Sequence, residues 1–99
     1  MQSHYLEQFE RDMGCTEAEW LGWLPAALGD NDWQRARQSV QVAIEPGSLQ
    51  ITWQPAPARS LGQIRLPRLL VRFAFTGLDA GQRHAFMTRF DLYMQRGGG

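Results

Sequence analysis

The chain has 99 residues, 43% of them hydrophobic and 20% charged, a balance that suits one folded domain and lies far from the compositions that favour disorder. Its formal net charge is zero, which excludes a domain that is basic throughout, the usual signature of nucleic-acid binding. No apolar run approaches the ~20 residues that cross a bilayer, and the first ten residues lack the basic and apolar stretches of a signal peptide; a cytoplasmic protein without membrane contact is expected.

All ten cationic side chains are Arg and none is Lys. This removes a phosphate-loop lysine, a Schiff-base lysine and a pyridoxal phosphate anchor, because each needs an amine that acts as a point charge or gives up its proton. Cys15 is the only cysteine, so no disulfide can form within the chain and a cysteine-built zinc site lacks its ligands. The charges are unevenly placed. Residues 1–32 hold seven acids against Arg11, a net of minus six, and residues 33–99 hold nine Arg against Glu45, Asp79 and Asp91, a net of plus six. The two parts attract one another in space.

In chain order, Tyr5, Leu6, Phe9 and Met13 recur at helical spacing and predict a short amphipathic helix over 3–13, ended by Gly14. Thr16 followed three residues on by Glu19 forms a capping box, with Cys15 and Trp20 placed as a hydrophobic staple, so a second helix begins at about Glu17. Pro25 is expected to kink or end that helix near Trp23 or Leu24, and residues 29–32 read as a turn.

From Ser39 the period becomes two: Val40, Val42 and Ile44 alternate with Gln41, Ala43 and Glu45 in a half-buried strand. Pro46 and Gly47 occupy the central positions of a predicted type II turn, and Leu49, Ile51 and Trp53 resume the alternation, which makes a hairpin. Residues 55–60, with Pro55 and Pro57, read as a stiff connector. A third strand over 63–76 has Ile64 and Leu66 on one parity and Leu69, Val71, Phe73 and Phe75 on the other, reconciled by a bulge near Pro67 and Arg68.

Asp79 with Gln82 starts a final helix whose stripe is Phe86, Met87, Phe90, Tyr93 and Met94; it should reach about Arg96 and leave 97–99 as a flexible glycine tail. The expected fold is a single α+β domain over 1–96: a three-stranded antiparallel sheet with helices on one face, in the order α-α-β-β-β-α.

Little chemistry is legible. The spacing of Cys15, His4 and His84 does not force them together around a third group, as nucleophilic catalysis requires. Asp30, Asn31 and Asp32 lack the distal Glu and central Gly of a calcium loop, and Asp79 repels phosphate from the start of the last helix. No catalytic residue, cofactor or metal is expected.

Surfaces remain. A bulge at Pro67 places Arg65 and Arg72 with Gln50 and Thr52 on the sheet face away from the core, beside Arg68. That face is rich in donors but has no aromatic on which a base can stack. Four tryptophans are many for three helices and three strands to cover, which leaves Trp23 and Trp33 for a partner. The expectation is a non-enzymatic protein–protein interaction or assembly module, with self-association into a homodimer as one use. The alternative is a nucleic-acid or acidic-ligand binder through Arg65, Arg68 and Arg72, and a cryptic small enzyme is third.

Overall fold

Period-two alternation governs more of this chain than its helical spacings suggest. The computed structural model describes the backbone of residues 4–98 and the side chains of residues 4–95. Its elements are β1 (Gln8–Met13), α1 (Glu17–Leu28), β2 (Trp33–Arg35), β3 (Ser39–Ile44), β4 (Gly47–Leu61), β5 (Ile64–Thr76) and α2 (Ala80–Gly98). All the strands join one five-stranded antiparallel sheet in the order β1-β5-β4-β3-β2. The expected three-stranded sheet and the order α-α-β-β-β-α are therefore corrected: an extra strand lies at each edge, and the described residues form two helices. Of the glycine tail, Gly97 and Gly98 continue α2, and Gly99 lies outside the described residues, as does Ser3 at the start of the expected first helix.

The first edge strand replaces that helix. In β1, Gln8, Glu10 and Asp12 are exposed, while Phe9, Arg11 and Met13 turn inward and are half-buried. An arginine on the inward parity hid this alternation, so Tyr5, Phe9 and Met13 read as a helical stripe. Pairing decides the outcome, because β1 supplies a ladder from Gln8↔Ala74 to Met13↔Leu69 along an edge of β5 that would otherwise be bare. Arg11 is tolerated inside because Asp91 of α2 meets it: both terminal nitrogens donate to the carboxylate, Nη2 to Oδ2 at 2.9 Å, and Tyr5 Oη donates to the same Oδ2 at 2.7 Å. Burial works against the Arg11 charge, but Asp91 holds its pKa above the ordinary value. Burial and the bond to Asp91 push Tyr5 above its ordinary 10.0.

α1 begins as its sequence requires. Thr16 Oγ1 accepts from Glu19 N at 3.1 Å, Thr16 N donates to Glu19 Oε1 at 2.9 Å, and Cys15 and Trp20 are buried. Pro25 does not split the helix, which continues to Leu28 with Gly29 N donating to Pro25 O. At the second helix, Asp79 and Gln82 form the reciprocal pair expected of them, at 2.8 and 2.9 Å. Both helices lie on one sheet face, as ring contacts show: Trp20 meets Trp53 and Phe90, and Phe73 and Phe75 meet Phe90 and Phe86. Val40, Val42, Leu49, Ile51, Leu69 and Val71 complete the buried layer.

The β3–β4 turn lies one residue earlier than predicted. Ile44 pairs with Gly47, so Glu45 and a cis Pro46 are the central residues, a type VI arrangement in place of type II. Gly47 instead opens β4, where a Cβ would collide with the carbonyl oxygen of Thr76.

Asp91→Ala leaves the guanidinium of Arg11 and the hydroxyl of Tyr5 without their shared acceptor in a half-buried site. It is expected to lower unfolding stability by about 2 kcal/mol in urea titration, the scale of hydrogen bonds to charged groups. Adding Arg11→Met should cost less than its effect alone, with a coupling of at least ~0.5 kcal/mol.

Candidate functional site

β4 and β5 outrun their neighbours. β3 follows β4 only as far as Thr52, with Gln38 O accepting from Trp53 N, and β1 follows β5 only back to Leu69. Beyond these points the two strands pair with each other alone, up to Leu61↔Ile64 and a two-residue loop whose Gly62 has φ 61°. With positive φ at the first central residue only, this loop follows the II′ pattern that matches strand twist. A strand of 15 residues rises roughly 50 Å, and the long axis of the molecule is 47 Å. The result is a projecting two-stranded arm.

Residues 55–60, expected as a connector, are thus strand. Backbone N–H groups alternate sides along a strand, so those sharing Trp53's parity point towards the β3 side, where β3 has already ended. Pro55 and Pro57 occupy that parity and forfeit no ladder bond. Pro67 shares the parity of Phe75, whose N–H points to the β1 side, and it lies past the end of β1. The bulge is present but on the other strand: Ala56 pairs with Arg68 and Arg59 with Leu66, so β4 fits two residues against Pro67.

That shift relocates the predicted site. β5 alternates without interruption, so Arg65 falls on the opposite parity from Arg72 and the two do not share a face. Arg72, Thr52 and Gln50 do lie together on the face away from the helices, with Thr52 opposite Arg72 and Gln50 opposite Ala74. A shallow depression of about 230 Å³ there is bordered by Glu10, Thr52, Gln54, Leu70 and Arg72. Arg68 is committed to Asp12: Nε lies 3.1 and 3.0 Å from the two carboxylate oxygens and Nη2 lies 2.7 Å from Oδ2, while Arg59 stands 3.6 Å from Oδ2. Trp23 is half-buried against the core and Trp33 is 37% exposed on β2; among the described residues they make no ring contact with each other.

The residues missed are apolar. Leu61, Ile64 and Leu66 are 59%, 61% and 40% exposed around the arm's tip. Their signal was the Leu61-Gly62-Gln63-Ile64 turn, masked by the prolines before it.

Charge is divided along the long axis. The arm and the sheet beside it carry Arg35, Arg37, Arg59, Arg65, Arg68 and Arg72; of the acids near them Asp12 is engaged by Arg68, Glu17 by the Trp53 indole at 2.8 Å and Glu19 by the α1 cap, while Glu10 stands across the ladder from Arg72. The opposite end carries Glu7, Asp30, Asp32, Glu45 and Asp79. Its arginines serve carbonyls, Arg83 those of Tyr5 and Leu78, and Arg89 those of Ala26 and Ala27 at the end of α1.

Catalytic chemistry gains no geometry. Cys15 is buried at the arm's end of α1, and burial, aided by Glu19, pushes its thiol up, whereas His84 stands at the other end, 5.9 Å from the Tyr5 ring. Among the described residues no three His, Cys, Asp or Glu side chains gather as metal ligands, and no helix is long and apolar enough to cross a membrane.

The arm's anchor has a pH signature. The hydrogen-bonded guanidinium of Arg68, with its charge and that of Arg59, holds Asp12 below its ordinary 3.8 against the opposing effect of burial. A carboxylate depressed on folding stabilises above its unfolded value, and that stability is lost as pH falls through the folded one. Asp12→Asn should therefore lower the thermal midpoint near neutral pH, and the difference from the wild type should vanish well below pH 3.8 in a melting series.

Comparison of the chain with protein-family models, with curated proteins and with solved structures gives no match in any of the three.

Proposed function

We propose that this protein is a non-enzymatic protein–protein interaction or assembly module whose contact element is the β4–β5 arm. The observation that carries this reading is the exposure of Leu61, Ile64 and Leu66 on a two-stranded ribbon. A two-stranded hairpin is marginal in water, and each fully buried aliphatic side chain contributes about 1.5–3 kcal/mol. An arm built this far beyond its sheet, stiffened by three prolines and tied at its base by Asp12, presents an apolar tip ready to be covered. The prolines blunt its edges against strand addition. Contact through side chains is therefore favoured.

Affinity capture from the native cell extract tests this. Proteins retained by the wild-type chain should be lost with Ile64→Asp, an exposed substitution that is expected to leave the far-UV spectrum and melting curve unchanged. Retention identical for both chains sinks the reading.

A second reading has its own support. Arg35, Arg37, Arg65 and Arg72 make no ion pair among the described residues, with Glu10 across the ladder from Arg72. A nucleic-acid ligand would bind them with strong salt dependence, weakened by Arg72→Ala and indifferent to Ile64→Asp. Trp33, two residues before Arg35 in β2, is exposed, but no residue from Gln54 to Leu70 is aromatic, which favours the protein partner for the arm.

A further inference from the structure

The partner that best fits the arm is available in the molecule's own surface. Over the corner where β2, β3 and β4 meet, a groove of about 600 Å³ is lined by Asp32, Trp33, Gln34, Ala43 and Ser48. Trp33 is paired with the buried Val42, so its indole, 37% exposed, stands on the helix side of the β2 edge, and the side chains that face the groove are those of Asp32, Gln34, Gln41, Ala43 and Ser48. Asp32 stands in the lining, Asp30 lies two residues before it, and Glu45 occupies the adjoining β3–β4 turn; among the described residues none of the three forms an ion pair. The arm is complementary to this corner in charge, with Leu61, Ile64, Leu66 and Arg59 on one face, Arg65 on the other, and no acid between Gln54 and Thr76.

We propose that the arm of one copy docks into this acid-flanked groove beside Asp32 and Ala43 of a second copy, in a head-to-tail arrangement. The inference rests on the reading of the arm as the contact element and adds its occupant. Docking within one molecule is excluded by length, since the groove flanks the start of β4 and the tip is at its end, 14 residues and roughly 45 Å away along the strand. A symmetric arm-to-arm pair is disfavoured because it brings Arg59, Arg65 and Arg68 against their own copies, whereas head-to-tail docking sets arginines against acids. Such a contact uses two different surfaces, so a docked pair retains one free arm and one free groove between its two copies, and assembly proceeds to chains or rings.

Sedimentation velocity of the full chain reads this directly. The wild type should gain mass with concentration, to twice the monomer and beyond, and return to monomer in high salt. Ile64→Asp removes the arm contact and Asp32→Arg the groove contact; both side chains are exposed, so each variant should keep the wild-type circular dichroism and sediment as a monomer. Mixed in equal amounts, they should form a one-to-one dimer and nothing larger, because one supplies the only working arm and the other the only working groove. Leu61→Asp provides a second arm variant, which should behave as Ile64→Asp does both alone and mixed with Asp32→Arg. A wild type that stays monomeric at every concentration, or folded variants that stay monomeric on mixing, overturns the proposal. If a monomeric wild type still captures another protein in an Ile64-dependent manner, self-docking fails while the arm remains a contact element; if arm variants change neither mass nor capture, both fail.

Discussion

The pairing of β4 with β5 is the constraint on which the rest of this molecule depends. Within the domain, the same ladder presents Leu49, Ile51 and Trp53 beside Leu69, Val71, Phe73 and Phe75 as one apolar surface, on which both helices lie. Beyond the domain it continues as the arm. The hairpin thus couples core and contact element through continuous hydrogen-bonded backbone, and a register slip of one residue would turn the apolar row outwards and reverse the arm's faces together. The bulge opposite Pro67 is the one place where the two parts change register.

What distinguishes arm from core is where neighbouring strands stop. β1 ends at Met13, and β3 begins at Ser39, so the hairpin has flanking strands over its inner half and none over its outer half. The three prolines lie in the outer half, each with its ring nitrogen towards an unoccupied side. A proline on these parities closer to the core would remove a ladder bond to β3 or β1. The proline positions and the ends of the flanking strands therefore agree.

Electrostatics follows the same axis. Zero net charge conceals a molecule in which one end has its arginines, Arg83 and Arg89, spent on carbonyls and its acids left uncompensated, while most other arginines lie nearer the arm. The internal pairs that do form are tied to the fold: Arg11–Asp91 fastens β1 to α2, and Arg68–Asp12 fastens the arm to β1. Each joins an acid and a base distant in sequence. The attraction expected between the acidic N-terminal part and the basic remainder is realised through Asp12 with Arg68 and Arg59, while the other N-terminal acids at the far end are left facing outwards.

Local chemistry was legible in the residues themselves. The Thr16–Glu19 and Asp79–Gln82 caps, the β3–β4 hairpin and the stripe of α2 all depend on side chains within a few positions of one another, and they stand where the sequence placed them. So does the placement of Gln50, Thr52 and Arg72 on the sheet's far side, which follows from strand alternation. The edge strands, the extent of the arm and the separation of Arg65 from Arg72 were decided by tertiary pairing. Arg11 looks like a surface residue until Asp91, 80 positions away, neutralises it, and three prolines look like a loop until the strands beside them are seen to have ended. Sequence by itself determines what a residue prefers among near neighbours; which strand lies alongside, and which side of it is left empty, is set only when distant segments meet.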